Sequence, residues 1–355
     1  MAISRKLLPP LCCALALSLT GPAAWAAPAD EPTHGHKVIT ASATPEVWTS
    51  PSGVKEVTVY VWGGGSGGGG GASGAGGGGG EGSKARSDHD DPGAGGAGGA
   101  GGGAGGGGGS GGYMVCHFIA TNNDPIMLTL KAGVAGHGGA GGAQAYGGAG
   151  GTNFFGGNGE TGRHGNDGQD GAFSKWSTVS LGRWAEVQGE VSGAGVGQLG
   201  RSGTGGSGGS EDGAAGGTAS TLQANGGKGA VVYPIYSTCN DKANVKGAAG
   251  SPGSLGTNAV AHNSKDREGT YGGRHGVGGS GAPVTAPTQA SLPGGDTYTV
   301  PVGTGAGGRG GDGTVGALGG SGGVDTGQGG SKAGYTSNAA DAGRNGSGGL
   351  IVVAW

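Results

Sequence analysis

Between His137 and Ala172 the chain reads "HGGAGGAQAYGGAGGTNFFGGNGETGRHGNDGQDGA". Glycine holds every third position from Gly138 to Gly171, and only Gln144 and Asn153 break the phase. A second tract keeps Gly307, Gly310, Gly313, Gly316, Gly319 and Gly322 in step. A third sets Ala94, Ala97 and Ala100 between Gly-Gly pairs, then slips by one residue to Ala104. Period three belongs to an extended left-handed helix with three residues per turn. One face of such a helix is bare, so neighbouring main chains can approach and pair their N–H and C=O groups sideways. This is the polyglycine II arrangement. Each inter-chain bond nets only about 0.5–1.5 kcal/mol, so order must come from many of them together.

Composition bears this out. Of 355 residues, 100 are glycine, roughly four times the usual share. Glycine has nothing to bury and loses the most backbone entropy on ordering, so a conventional hydrophobic core cannot carry the whole chain. Collagen shares the period but needs unbroken phase and abundant proline, and no proline stands between His137 and Ala172. A disordered, linker-like chain is the other reading of such a composition. The long-range phase and the strands that bracket the tracts argue for order.

Arg5 and Lys6, the apolar run Leu7–Leu19 and "AWA" at Ala24–Ala26 read as a secretory signal, with cleavage expected after Ala26. Residues 27–45 read as a polar, flexible lead, and 46–355 as one glycine-rich domain. No later segment is apolar enough to span a membrane. Cys12 and Cys13 leave with the signal, and Cys116 and Cys239 remain. In an oxidising compartment they would form one bridge, the alternative being two free thiols. The net charge is −3 and the basic residues are scattered, so nothing suggests a nucleic-acid footprint.

Period-two alternation of β-branched and aromatic residues predicts strands at Val57–Trp62, Tyr113–Ala120, Ile126–Ala132, Trp184–Val191, Ala230–Tyr236, Thr297–Val302 and Leu350–Trp355. Most run into or out of a glycine tract. The expected fold is mostly β and irregular, with short antiparallel strands scaffolding a bundle of polyglycine II helices.

Two stretches, "VWTSPSGVKEVTVYVWGGGSGGGGG" near the start and "DTYTVPVGTGAGGRGGDG" with the closing "GSGGLIVVAW", resemble the glycine-rich domain of phage tail fibres and related bacterial surface proteins. The tracts also look like the polyglycine II sandwiches of phage tail-tip adhesins and snow-flea antifreeze proteins. The resemblance implies that loops joining the glycine helices contact a receptor. The signal peptide departs from the phage pattern and points to a bacterial exported protein.

Catalytic and metal motifs are weak. "GGSGG" at Gly64–Gly68 matches a nucleophile pattern without its strand-turn-helix context. "GGKG" at Gly226–Gly229 lacks the Ser/Thr of a P-loop. "GGRGGDGTV" fits a calcium repeat only once, with Asp312. His34 and His36 sit in the lead, and Asp88–Asp91 reads as a solvated loop tip. No catalytic group and no cofactor is expected. The candidate ligand-binding residues are Gln144, Tyr146, Asn153, Phe154, Phe155, Arg163 and His164, aromatics with amide and charged neighbours suited to a cell-surface glycan or a protein receptor. Phe154 and Phe155 could instead plug the side of the bundle, and Trp176, Trp184, Arg274 and His275 share that ambiguity. The expectation is a secreted or cell-surface adhesin or structural protein. An ice-binding protein is the alternative, hinted at only by the alanines from Ala94 to Ala104.

Overall fold

The computed structural model describes residues 34–355 except 82, 86–89, 92, 123, 152–156, 183–185, 211, 264–266 and 322–331. Short antiparallel strands alternate with long segments that are neither helix nor strand, and no described helix is long and apolar enough to cross a membrane.

The first sheet holds β1 (His36–Thr40), β13 (Leu350–Ala354), β3 (Glu56–Trp62) and β6 (Tyr113–Ile119), in that order. The second holds β10 (Val232–Pro234), β9 (Glu186–Val191), β8 (Ser177–Leu181), β7 (Met127–Lys131) and β2 (Glu46–Thr49). Every pairing is antiparallel. Alternation sorts the faces as the sequence suggests. Val57, Val59 and Val61 of β3 point between the sheets, onto Leu128, Leu130, Val179, Val191, Ile351 and Val353. Trp62 and Tyr113 face the other way, onto Val115, Leu350 and Val352. That outer face is covered by a hairpin of β11 (Gln289–Ser291) and β12 (Thr297–Thr299). There Tyr60 donates to the Ser291 carbonyl at 2.6 Å and the Trp62 indole to the Pro287 carbonyl at 2.9 Å. β4 (Lys84–Ala85) and β5 (Asp90–Asp91) form a separate two-stranded ribbon.

Each fully buried aliphatic side chain is worth about 1.5–3 kcal/mol, so this sandwich is the hydrophobic anchor of the molecule. The disulfide Cys116–Cys239 lies in it and closes 123 residues of chain. Gly189 of β9 is glycine because a Cβ there would press on Met114 and the bridge.

Among the described residues ten glycine tracts accompany the strands: 63–81, 93–112, 133–151, 157–175, 193–210, 214–230, 247–262, 268–282, 305–321 and 332–349, numbered 1 to 10. Their N–H groups bond to neighbouring tracts at 2.7–3.2 Å, and the direction rotates every three residues. In tract 1, Gly65, Gly68 and Gly71 donate to tract 10; Ser66, Gly69 and Ala72 to tract 2; Gly67, Gly70 and Ser73 to tract 4. Its carbonyls accept from Gly136 and Gly139 of tract 3, Gly197 and Gly200 of tract 5, and Gly308 and Gly311 of tract 9. Tract 1 therefore has six hydrogen-bonded neighbours. Tract 2 also has six, donating to tracts 5, 7 and 9 and accepting from 1, 6 and 8. The other eight form a closed ring around this pair in chain order, tract 10 bonding back to tract 3 through Gly334 and Gly343. Tracts 4, 5 and 6 make one flat side and 8, 9 and 10 the other.

Glycine density follows position in this lattice. On Gly68, Gly69 and Gly70 of tract 1, an added Cβ would approach a neighbour's carbonyl below 3.0 Å on all three sides. In tract 3 two of every three positions are blocked, as at Gly138 and Gly139, and the third carries Ala140, Ala143, Tyr146 or Ala149 outward. In tract 4 only one is blocked, at Gly162, Gly165, Gly168 and Gly171, and pairs such as Asn166 and Asp167 are exposed.

Three expectations change. His36–Thr40, in the segment read as a flexible lead, is a strand with β13 as partner, because Lys37, Val38 and Ile39 alternate too briefly to stand out. β2, β8 and β11 were not anticipated either, being short, and β8 and β11 rich in Ser, Thr and Gln. The alanine slip near Gly103 leaves the bond register intact. Ala97 and Ala100 lie on the row that faces tract 5, and Ala104 on the row that faces tract 7. These alanines are buried, so they offer no surface for ice.

Replacing Gly105 of tract 2 by alanine is expected to cost roughly 1–3 kcal/mol, as overpacking does. Ala140→Ser, on an outward row, should stay within about 0.5 kcal/mol of the parent. Urea unfolding midpoints of the two oxidised proteins measure the difference.

Candidate functional site

The outer tracts project side chains in rows three residues apart. Tracts 1 and 2 spend their main-chain groups on bonds to six neighbours, while the outer tracts turn these rows of side chains to the surface.

Three of the expected residues meet on tracts 3 and 4. The Gln144 amide donates to the Tyr146 hydroxyl at 3.3 Å. The Arg163 guanidinium carbon stands 5.9 Å from the centroid of the Tyr146 ring, within cation–π range. Arg163 and Tyr146 are brought opposite by the bond from the Arg163 N–H to the Tyr146 carbonyl at 3.0 Å. His164, on the neighbouring row, turns to the flat side of tracts 4, 5 and 6 and lines a cleft with Thr204 and Thr218. Asn153, Phe154, Phe155 and Trp184 lie outside the described residues. Trp176 stacks on Tyr233 near the sheets at 6.0 Å and 9°. Arg274 and His275 are exposed on tract 8.

Tyr146 is part of a larger feature that the sequence reading missed. Tyr335 donates its N–H to the Leu318 carbonyl, and the bonds from Gly316 to Gly273 and from Gly319 to Thr270 set Tyr271 beside Leu318. The bonds from Gly334 to Gly148 and from Ser337 to Ala145 bring Tyr335 level with Tyr146. Tyr271, Leu318, Tyr335, Tyr146 and Arg163 thus form a belt at one level across tracts 8, 9, 10, 3 and 4. Tyr271 is 78% exposed, and Tyr335 and Tyr146 are 53% exposed each. Tyr271 and Leu318 each follow or precede a Gly-Gly pair, which is the signal that could have marked them as outward.

Asp312 accepts from Arg309 at 2.8 Å and from the Gly278 N–H at 2.6 Å. No group of three metal-ligating side chains occurs among the described residues. Asp90 and Asp91 belong to β5, whereas 86–89 lie outside the described residues. His36 packs against Tyr298 at 5.7 Å.

Two carboxylates are tuned. Burial by itself would raise Asp167, but the Ser202 N–H (2.7 Å), the Ser202 hydroxyl (2.9 Å) and Arg201 (2.9 Å) hold it below its ordinary value. Asp241 is lowered chiefly by the Ala243 N–H and then by His117, whose Nε2 lies 2.9 Å away. On its other side the His117 ring meets the Thr58 hydroxyl at 3.2 Å.

No protein-family model matches the chain, and no curated protein matches its sequence.

Both carboxylates are held below the ordinary aspartate value in the folded protein. Their stabilisation is therefore complete above that value and is lost as pH falls through the lower folded-state values. Thermal melts should be flat in this contribution from pH 7 to 5 and decline below about pH 4. Asp167→Asn should flatten that decline.

Proposed function

We propose that this chain is an exported, non-enzymatic adhesin or surface structural protein. Its glycine tracts are polyglycine II helices, and it recognises a cell-surface glycan or protein receptor at the end of the bundle away from the sheets. Export follows from the signal at 1–26, and a disulfide in the sandwich suits an oxidising compartment.

The observation that supports this best is the cluster of Gln144, Tyr146 and Arg163. It stands within two triplets of the end of tract 3, exposed, and joined to a belt of tyrosines. Exposed aromatics with an adjoining guanidinium are the residue types that carry binding energy at interfaces. The rigid lattice beneath them needs no reordering on binding, which lowers the cost of association. Ice binding would call for a repeated small or threonine row. The outward row of tract 3 breaks its alanines with Tyr146, and that of tract 9 reads Arg309, Asp312, Val315, Leu318, which favours recognition of a chemically varied partner.

Fluorescently labelled, oxidised mature protein should bind whole bacterial or host cells. Tyr146→Ala with Arg163→Ala should weaken that binding about tenfold or more without changing the melting temperature. Absence of cell binding by the parent protein overturns the adhesin reading. Binding unaffected by the double variant overturns the placement of the contact.

A further inference from the structure

The bond register between tracts is constant along the lattice except at tract 6. Gly217 donates to Gly98 and Gly227 to Gly107, so ten residues of tract 6 span nine of tract 2. Its other neighbours agree. Thr204 donates to Thr218 and Gln198 to Asn225, while Ala259 donates to Gly217 and Gly253 to Ala224. Each time, seven residues of tract 6 face six. One extra residue lies between 218 and 224. The resulting bulge is held by the Leu222 N–H on the Ser220 hydroxyl at 3.1 Å, and it pushes Leu222 out to 64% exposure.

The bulge turns a flat side into a relief. A cleft of ≈ 280 Å³ opens beside it, lined by Asp170, Gln198, Arg201, Leu222, Gln223 and Asn225 among others. On its other flank lies the cleft of ≈ 420 Å³ that His164 lines. The polar side chains of the first cleft are fixed. The Leu199 N–H donates to Asp170 Oδ1 at 2.8 Å. Gln198 Oε1 accepts from the Asn225 backbone and from its side-chain amide, both at 3.1 Å. Gln223 donates to the Gly253 carbonyl at 2.9 Å, and Arg201 Nη1 to Asp167 at 2.9 Å.

Those bonds leave acceptors at Asp170 Oδ2 and Asn225 Oδ1, and donors at Gln198 Nε2 and Arg201 Nη2. Two acceptors and two donors on one lining match a pair of adjacent hydroxyl groups, each of which gives one hydrogen bond and takes another. Leu222 supplies an apolar wall for a C–H face. The charge balance narrows the ligand further. Arg201 is already paired with Asp167, so the lining holds an unpaired carboxylate at Asp170 and no unpaired cation, which disfavours phosphate, sulfate or uronate groups. We propose that the cleft beside the tract 6 bulge binds a neutral saccharide through vicinal hydroxyls. This side-face site is separate from the tyrosine cluster and does not depend on it.

The test uses the oxidised mature protein on an array of neutral glucans, mannans and galactans, with uronate-bearing and sulfated glycans as a second arm. Hits are titrated by calorimetry. Binding to at least one neutral glycan is expected, weakened tenfold or more by Asp170→Asn and by Gln198→Ala. Deleting Ser220, which restores the register, should abolish binding while preserving or raising the melting temperature. Tyr146→Ala should leave it unchanged, which separates this site from the tip. The proposal is overturned if no neutral glycan binds at millimolar concentration. It is equally overturned by a preference for the anionic arm, or by affinity that survives both Asp170→Asn and the deletion.

Discussion

The main-chain hydrogen bond between adjacent tracts is the constraint on which the rest depends. In an ordinary domain such bonds close helices and ladders while side chains supply the net stabilisation. Here the bonds themselves hold the interior together. Tracts 1 and 2 each exchange them with six neighbours, and a bond that nets only about 1 kcal/mol becomes decisive by repetition. The condition is close approach, and close approach forbids a Cβ. The entropy penalty of ordering glycine is accepted in return for that proximity.

The hydrophobic sandwich answers the problem that the lattice leaves open. A sideways bond between bare chains carries little information about which chain should lie beside which. Strand register supplies it. β3 feeds tract 1, tract 2 feeds β6, β7 feeds tract 3 and tract 4 feeds β8, so apolar alternation in the sheets fixes which tracts meet and at what height. The disulfide between Cys116 and Cys239 ties this anchor at residues far apart in the chain.

Much of this was legible from the residues. The seven anticipated strands each contain or overlap an observed one, because alternation of β-branched and aromatic residues is a local property. The period of the tracts was visible too. Their glycine density carried more than was read from it: unbroken small residues in tracts 1 and 2, two glycines per triplet in tract 3 and one in tract 4 correspond to the number of blocked rows. What could not be read is non-local. The belt of Tyr271, Leu318, Tyr335 and Tyr146 gathers residues whose alignment depends on bond register between tracts, and the extra residue in tract 6 shows only when counted against its neighbours. Within the candidate site, Gln144, Tyr146 and Arg163 came together as neighbours across tracts 3 and 4, and His164 separated from them because consecutive residues on tract 4 occupy different rows.

The place of β13 between β1 and β3 has a temporal consequence. Tract 10 closes the ring and β13 fills the gap in the first sheet, and both come after the other described tracts and strands in sequence order. A polypeptide emerging amino-terminus first exposes a row of unsatisfied donors on tract 1 and two facing strand edges until this final segment arrives. Such edges are templates for pairing with any other extended chain. Until β13 is in place, β1 and β3 each present an open strand edge that β13 closes on both sides.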